Sequence, residues 1–222
     1  MGVNSSAAGR GRRRYDSPLR DEQARRTRQA IVTAAARLFV ARGYAATSLA
    51  DIATDAEVAR PTVFAAFGSK AALLREVVDR ALAGDDEPVP VAERPWFRPV
   101  WQGQTPQAVL RAYAEVCRLI GKRAAEIFEM VRRAADEGPE LSDLWETMQH
   151  NRRAGAAMVV DHLRTLTPAP HLPDHERAVD VVWLFNDPAH YRSLVRTRGW
   201  SERAYTAWIA DQMHHGLGLD AS

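Results

Sequence analysis

A chain of 222 residues, 46% hydrophobic and 26% charged, has the composition of a soluble globular protein and is long enough to bury a core without staples. Its one cysteine, Cys117, rules out an intramolecular disulfide and a Cys-rich zinc site and fits a reducing, cytoplasmic setting. No apolar stretch reaches the roughly eighteen residues that a membrane span needs, and no secretory signal core is expected. The net charge of +2 hides an asymmetry: residues 1–83 carry 14 Arg/Lys against 8 Asp/Glu, whereas residues 84–222 carry 16 against 20. A basic N-terminal part beside an acidic remainder points to a polyanion met by the first part alone.

Residues 1–20 hold Arg10, Arg12, Arg13 and Arg14 among Gly and Ser with almost no aliphatic side chains. Such a stretch cannot bury enough apolar surface to offset ordering, so a disordered basic arm is predicted. It serves either as a solubilising tail or as a source of extra phosphate contacts. From Gln23 to Arg42 apolar residues recur at helical spacing (Ile31, Ala34, Ala35, Leu38, Phe39), and Gly43 stops the run. Ser48 followed by Asp51 opens a short second helix to about Ala56 with a capping-box-like start. After Glu57-Val58-Ala59 a third helix runs from Arg60 to Phe67, with Pro61 in its first turn, and Lys70 opens a fourth that carries Leu73, Leu74, Val77 and Val78.

Residues 84–105 form a Pro-rich connection, kept on the body by Trp96, Phe97 and Trp101. Beyond it the pattern is helical again. One helix starts at Thr105-Pro106 and is expected to end at Gly121, a second reaches about Asp136, and a long third runs from Pro139 to about Leu166. Asp174 caps a helix that is apolar almost all round up to Phe185, a short piece covers Tyr191–Arg196, and Ser201 caps the last. With no alternating strand pattern, the fold class is all-α. The divisions are an arm (1–20), a helix-turn-helix head (21–83), the connection (84–105) and a helical body (106–222).

Two short helices joined by a three-residue turn, the second polar and basic at its start, form a helix-turn-helix signature. The first helix braces the second, whose N-terminal residues enter the major groove. Ala53, Val58 and Val63 supply the small and β-branched packing between them. Arg60 stands where the reading helix begins, and Arg is the commonest partner of guanine O6 and N7. Helix starts at Thr47/Ser48 and Lys70 suit phosphate.

Residues 25–83 resemble the N-terminal domain of the TetR family of bacterial transcriptional regulators. The matching positions include Arg26-Thr27, Ile31, Ala34-Ala35, Leu38-Phe39, Gly43-Tyr44, Thr47-Ser48-Leu49, Asp51-Ile52-Ala53, Val58, Pro61-Thr62-Val63-Phe64, Phe67, Ser69-Lys70 and Leu73. The resemblance implies that Thr47 or Ser48 binds backbone phosphate, that Arg60, Pro61 and Thr62 lie at the major groove, and that Lys70 binds phosphate. Phe64 stands where the family usually has a phosphate-binding Tyr, so one contact is expected to be lost. It is read as a core or groove-wall residue, and Phe67 as core. Glu57 replaces the usual turn glycine and is expected to distort the turn, because left-handed backbone is disfavoured for Glu. Ala66 replaces a polar residue, which shifts base reading toward Arg60 and Thr62.

In the body, the long helix presents Leu141, Leu144, Trp145, Met148, Gly155, Met158, Val159 and His162 on one face, with Asn151 and Arg152 at its middle. A polar residue in an apolar stripe needs a partner when buried. One reading is a pocket for a small hydrophobic or aromatic effector formed by Phe128, Trp145, Met148, Arg152 and Trp183. The other is a helix middle that reaches the surface, or an Arg152 paired with a core acid. The resemblance also implies a dimeric bundle of the last two long helices, with Val179, Val182, Trp183, Trp208 and Gln212 as interface candidates; a monomeric core is the alternative. Two reading helices about 34–36 Å apart would match successive major grooves.

Catalysis finds no support: the seven His are scattered, and no nucleophile elbow, zinc-binding helix or phosphate loop occurs. No cofactor or metal is expected, and Cys117 on its apolar stripe reads as an inert core thiol. The function that follows is a DNA-binding regulator, most simply a repressor, that binds operator DNA as a dimer and is released by a small molecule. The alternative is a dimeric DNA-binding or architectural protein without a physiological ligand.

Overall fold

The structure, a computed structural model, describes residues 18–166 and 172–219. Arg10, Arg12, Arg13 and Arg14 of the predicted arm therefore lie outside the described residues, whereas residues 18–20, assigned to that disordered arm, form the first turn of α1 and correct its boundary. The described residues contain ten α-helices and no strand: α1 (Pro18–Arg42), α2 (Leu49–Asp55), α3 (Arg60–Phe67), α4 (Lys70–Ala83), α5 (Arg98–Gln102), α6 (Pro106–Ala134), α7 (Pro139–Thr165), α8 (His175–Phe185), α9 (Pro188–Tyr191) and α10 (Glu202–Gly216). The chain leaves α9 through a π-helical stretch, Arg192–Thr197.

Local chemistry explains the head. The periodic face of α1 is buried, with Ile31, Ala35 and Phe39 fully so. Gly43 ends α1 at φ +84, a left-handed conformation open to glycine. Ser48 caps α2 in a complete capping box, its side chain accepting from the Asp51 N–H while Asp51 accepts from the Ser48 N–H. The turn into α3 keeps its hydrogen bonds: the Ala56 N–H reaches the Ile52 carbonyl at 2.9 Å and the Val58 N–H the Ala53 carbonyl at 2.9 Å. Glu57 adopts φ 54 within this turn, so the distortion expected for a non-glycine residue does not occur. The left-handed backbone is retained at a cost of about 1–2 kcal/mol.

The body is built around α6. The expected break at Gly121 is absent, and α6 is one helix of 29 residues. Gly121 is there because α9 crosses at that point: a Cβ on it would lie 2.6 Å from the Cβ of Tyr191. Helix α10 packs along α6, and α8 lies against α7. The Pro-rich connection docks through Phe97, which stacks on Trp101 with ring centroids 5.0 Å apart and meets Tyr113 of α6 at 6.1 Å. Arg94, 4% exposed, staples the connection by donating to the Asp85 carboxylate at 2.5 Å and to the carbonyls of Glu87 and Val89. Short α5 forms within this stretch, where the prolines predict no helix.

Two apolar clusters result. One joins α1–α4 to Ala124, Ile127, Phe128, Met130, Val131 and Ala134 of α6 and to Leu141, Leu144 and Met148 of α7. The other lies within the body and holds Phe97, Tyr113, Ala178, Val179, Val182, Tyr191, Tyr205 and Ile209.

Replacing a mid-helix glycine by alanine ordinarily stabilises by about 0.5–1 kcal/mol. Gly121→Ala should instead destabilise by about 1–2 kcal/mol, because overpacking against Tyr191 outweighs propensity. Chemical denaturation will show the sign; stabilisation would mean that α6 and α9 do not touch there.

Candidate functional site

Helix α3 is held from below and offers its upper face to solvent. Val63 is fully buried, whereas Arg60, Pro61 and Ala65 are exposed and Thr62 is half-buried. Phe64 is 64% exposed, so its ring stands outside the core. Its lack of a hydroxyl restricts it to van der Waals contact. Phe67 is half-buried under Arg28, whose guanidinium lies 4.2 Å from the ring centroid, donates to the Ala66 carbonyl and pairs with Glu76 at 2.6 Å. Ala66 packs on the core beside it.

The charges of the head are unequally committed. Arg25 and Arg26 share Glu22, and Arg37 pairs with Asp55. Arg60 has no ion-pair or hydrogen-bond partner among the described residues, so its donors are available at the start of α3. Of the two phosphate candidates at the start of α2, Thr47 is placed differently from expectation and Ser48 caps the helix as expected. Thr47 is fully buried, and its hydroxyl donates to the Gly43 carbonyl at 2.8 Å, so it secures the turn and cannot reach a phosphate. Ser48 is exposed, but its hydroxyl donates to Asp51 at 2.6 Å within the capping box.

Lys70 is half-buried and braces the head. Its ammonium donates to the carbonyls of Tyr44 at 2.9 Å and Thr47 at 3.0 Å and lies 4.1 Å from the Tyr44 ring centroid. Partial burial lowers its pKa. Two of its three N–H donors are thus spent internally, leaving one.

Beneath the head lies a cavity of about 780 Å³, walled by α4, the Pro-rich connection, α6 and α7. Phe128, Met148 and Arg152 line it; Trp145 and Trp183 do not. Trp145 packs on the shared apolar cluster, and Trp183 stacks behind Arg152 with the guanidinium 5.3 Å from its ring centroid. The Arg152 side chain is 8% exposed and pairs with Asp187 at 3.0 Å. Its Nε donates to Asn186 at 3.2 Å, its Nη1 to Gln149 at 2.6 Å and its Nη2 to the Trp183 carbonyl at 2.9 Å. Both readings of Arg152 therefore meet in one residue, which borders the cavity and pairs with an acid. Asn186 also donates to the Tyr113 hydroxyl at 2.9 Å, and burial raises that phenol's pKa. Burial pushes the Cys117 thiol up to about 12, which keeps it in the thiol form near neutral pH.

The interface candidates divide. Val179 and Val182 are 2% and 0% exposed inside the chain's own core and offer no surface to a second chain, because α8 turns these residues onto the body cluster. Trp208 and Gln212 are half-buried. Trp208 meets Phe185 and Trp200 edge-on at 6.2 and 6.0 Å, and the neighbouring Leu184 is 53% exposed. Sequence reasoning missed Leu184, although its place on an all-apolar helix was the available signal. Among the described residues no helix is long and apolar enough to cross a membrane, and no group of three or more His, Cys, Asp or Glu could hold a metal ion.

This is an all-helical protein with an N-terminal helix-turn-helix head. The family described as bacterial regulatory proteins, tetR family, matches residues 31–77, the segment from mid-α1 to mid-α4. The HTH-type transcriptional regulator TtgR of Pseudomonas putida is 45% identical over 58 residues, 26% of this chain and 28% of that protein. ArpR of Pseudomonas putida, described as an HTH-type regulator, matches to the same extent. The match thus spans well under a third of these curated relatives. Over nearly the full length the fold is similar to that of a regulator-type protein from Pseudomonas aeruginosa PAO1, with TM-score 0.67, 15% identity and coverage of 94% of this chain and 96% of that one. It is also similar to a protein from Saccharomonospora viridis solved in complex with choline, with TM-score 0.59, 18% identity and coverage of 85% and 95%.

Restoring a hydroxyl at the exposed ring should add one phosphate contact. Phe64→Tyr is expected to tighten binding to specific and random DNA alike by about 1 kcal/mol, roughly fivefold, in fluorescence anisotropy titrations. A gain confined to one sequence would assign the ring to a base instead.

Proposed function

We propose that the chain is a transcriptional regulator, most simply a repressor, which binds operator DNA as a homodimer through α3 and is released when a small molecule occupies the cavity. The observation that carries this reading is the double duty of α4. Leu73, Leu74 and Val77 of this helix pack the head, while Val78, Asp79 and Leu82 face the cavity. A ligand there touches the last helix of the head directly, so its occupancy and the orientation of α3 are coupled, and DNA weakens the ligand by the same factor. The choline held by the Saccharomonospora viridis protein supports a small molecule as occupant of a body of this shape.

In this reading Arg60 reads a guanine edge, Thr62 and Phe64 flank it, and Ser48 and the remaining donor of Lys70 lie near phosphates. Two heads are brought to successive major grooves by an interface on the outer faces of α8 and α10, where Leu184, Phe185, Trp200 and Trp208 form an apolar patch. Exposed apolar patches of this kind mark contact surfaces.

Binding to the chain's own upstream region should fall with salt, log K against log[salt] having a slope of about −0.9 per phosphate neutralised. Arg60→Ala should cost about 1–3 kcal/mol on the specific site and little on random DNA. Equal loss on both would reduce Arg60 to a phosphate contact, and sequence-independent binding by the wild type would overturn the regulator reading. For the interface, Leu184→Glu should yield monomers in sedimentation velocity and weaken operator binding more than tenfold, about 1.4 kcal/mol or more. An unchanged monomer–dimer balance would move the interface elsewhere.

A further inference from the structure

The cavity has a chemical bias that narrows what it can hold. Its walls are apolar where a ligand body would lie: Val78 and Leu82 of α4, Phe97 of the connection, Ile120 and Phe128 of α6, and Met148 of α7. Two of the three guanidiniums along it are already committed. Arg152 spends its donors on Asn186, Gln149, the Trp183 carbonyl and Asp187, and Arg94 spends its own on Asp85 and two carbonyls. Four of the five N–H donors of Arg152 and three of the five of Arg94 are engaged, so each guanidinium is anchored to the protein and already holds a carboxylate.

Asp79 is in the opposite condition. It lies on the cavity-facing side of α4, at the mouth where solvent still reaches it, and has no hydrogen-bond or ion-pair partner among the described residues. Crowding by its neighbours raises its pKa, and the charge of Glu76 adds to the effect. Arg80, next to it in α4, also borders the cavity and is the third guanidinium along it. Around the lining Glu76, Asp79, Asp85, Asp86 and Glu87 stand against Arg80, Arg94 and Arg152, an excess of acid. A neutral ligand would strip water from the Asp79 carboxylate without replacing it, and an anion would meet it with like charge. A cation relieves both penalties, and the faces of Phe97 and Phe128 are attractive to positive charge as well as to apolar carbon.

We infer that the cavity selects an organic monocation with an apolar or aromatic body, its charge paired with Asp79 and its body laid against the Phe97, Phe128 and Met148 wall. The inference rests on the effector reading above only in taking the cavity as a small-molecule site; it is independent of the DNA-reading surface. It also gives the ligand a direct hold on the head, since the charge pair forms on α4 itself.

Three probes of one shape separate the possibilities: 4-phenylbutyltrimethylammonium, 4-phenylbutanol and 4-phenylbutyrate, titrated calorimetrically into the full chain. The cation should bind about tenfold or more tightly than the alcohol, with the carboxylate weakest, in keeping with a charge-assisted pair. Asp79→Asn should bring the cation to the level of the alcohol. The ranking in the wild type decides the matter even if that variant fails to fold. An alcohol or carboxylate that binds as tightly as the cation overturns the charge assignment while leaving a small-molecule site in place. No binding of any probe overturns the inference and counts against the effector reading, whereas the regulator reading stands or falls on the operator titration alone.

Discussion

Ile127, Phe128 and Val131 of α6 and Leu141, Leu144 and Met148 of α7 bury themselves in the same cluster as Phe39 of α1, Ile52 of α2 and Leu73, Leu74 and Val77 of α4. Burial of this shared surface is the constraint on which the rest of the molecule depends, since each such side chain contributes about 1.5–3 kcal/mol on removal from water. A polar rivet reinforces it. Arg123 of α6 donates to the Leu82 carbonyl at 3.0 Å and the Ala83 carbonyl at 3.4 Å, at the end of α4 where a cation meets the negative pole of the helix. Its guanidinium lies 4.9 Å from the Trp96 ring centroid, so the connection, the body and the head meet at one residue. Gly84 makes room for it: a Cβ there would lie 2.1 Å from Arg123 Nη1.

Because α4 is fixed by the body, whatever α4 fixes inherits that placement. Lys70 at its start ties the carbonyls of Tyr44 and Thr47 to it, and thereby the entry into α2. Glu76 on α4 holds Arg28, which covers Phe67 at the end of α3. The reading helix is thus oriented from both of its neighbours by contacts that trace back to one helix. Much of the head's basic side-chain capacity is consumed in such internal work, which leaves Arg60 as a cation without a partner among the described residues at the front of α3. The basic excess of residues 1–83 therefore overstates the positive charge that the described head can offer to DNA.

The head was largely legible in the sequence because its signals are local. The face of α1, Gly43, the Ser48–Asp51 box and Pro61 each act within a few residues, and all appear where the pattern places them. Tertiary contacts were not legible in this way. Gly121 resembles a helix stop in one dimension but is a clearance for Tyr191 in three. Thr47 looks like a cap hydroxyl, yet its neighbours bury it and turn it back on Gly43. The roles of Asp79, Arg94 and Arg123 depend on partners 5–41 residues distant or, for Asp79, on the lack of one among the described residues, which no spacing reveals. The apolar run of α8 was visible, but its inward and outward residues were not separable until α8 was placed on the body.

Native-state hydrogen exchange tests the shared core most directly. If head and body are one cooperative unit, the slow amides of α4 and those of α6 near Ile127–Val131 should open with the same free energy, equal to that of global unfolding. Exchange of the α1–α4 amides through their own opening, several kcal/mol below that of α6, would contradict the account, because a head that opens alone is not positioned by the body beneath it.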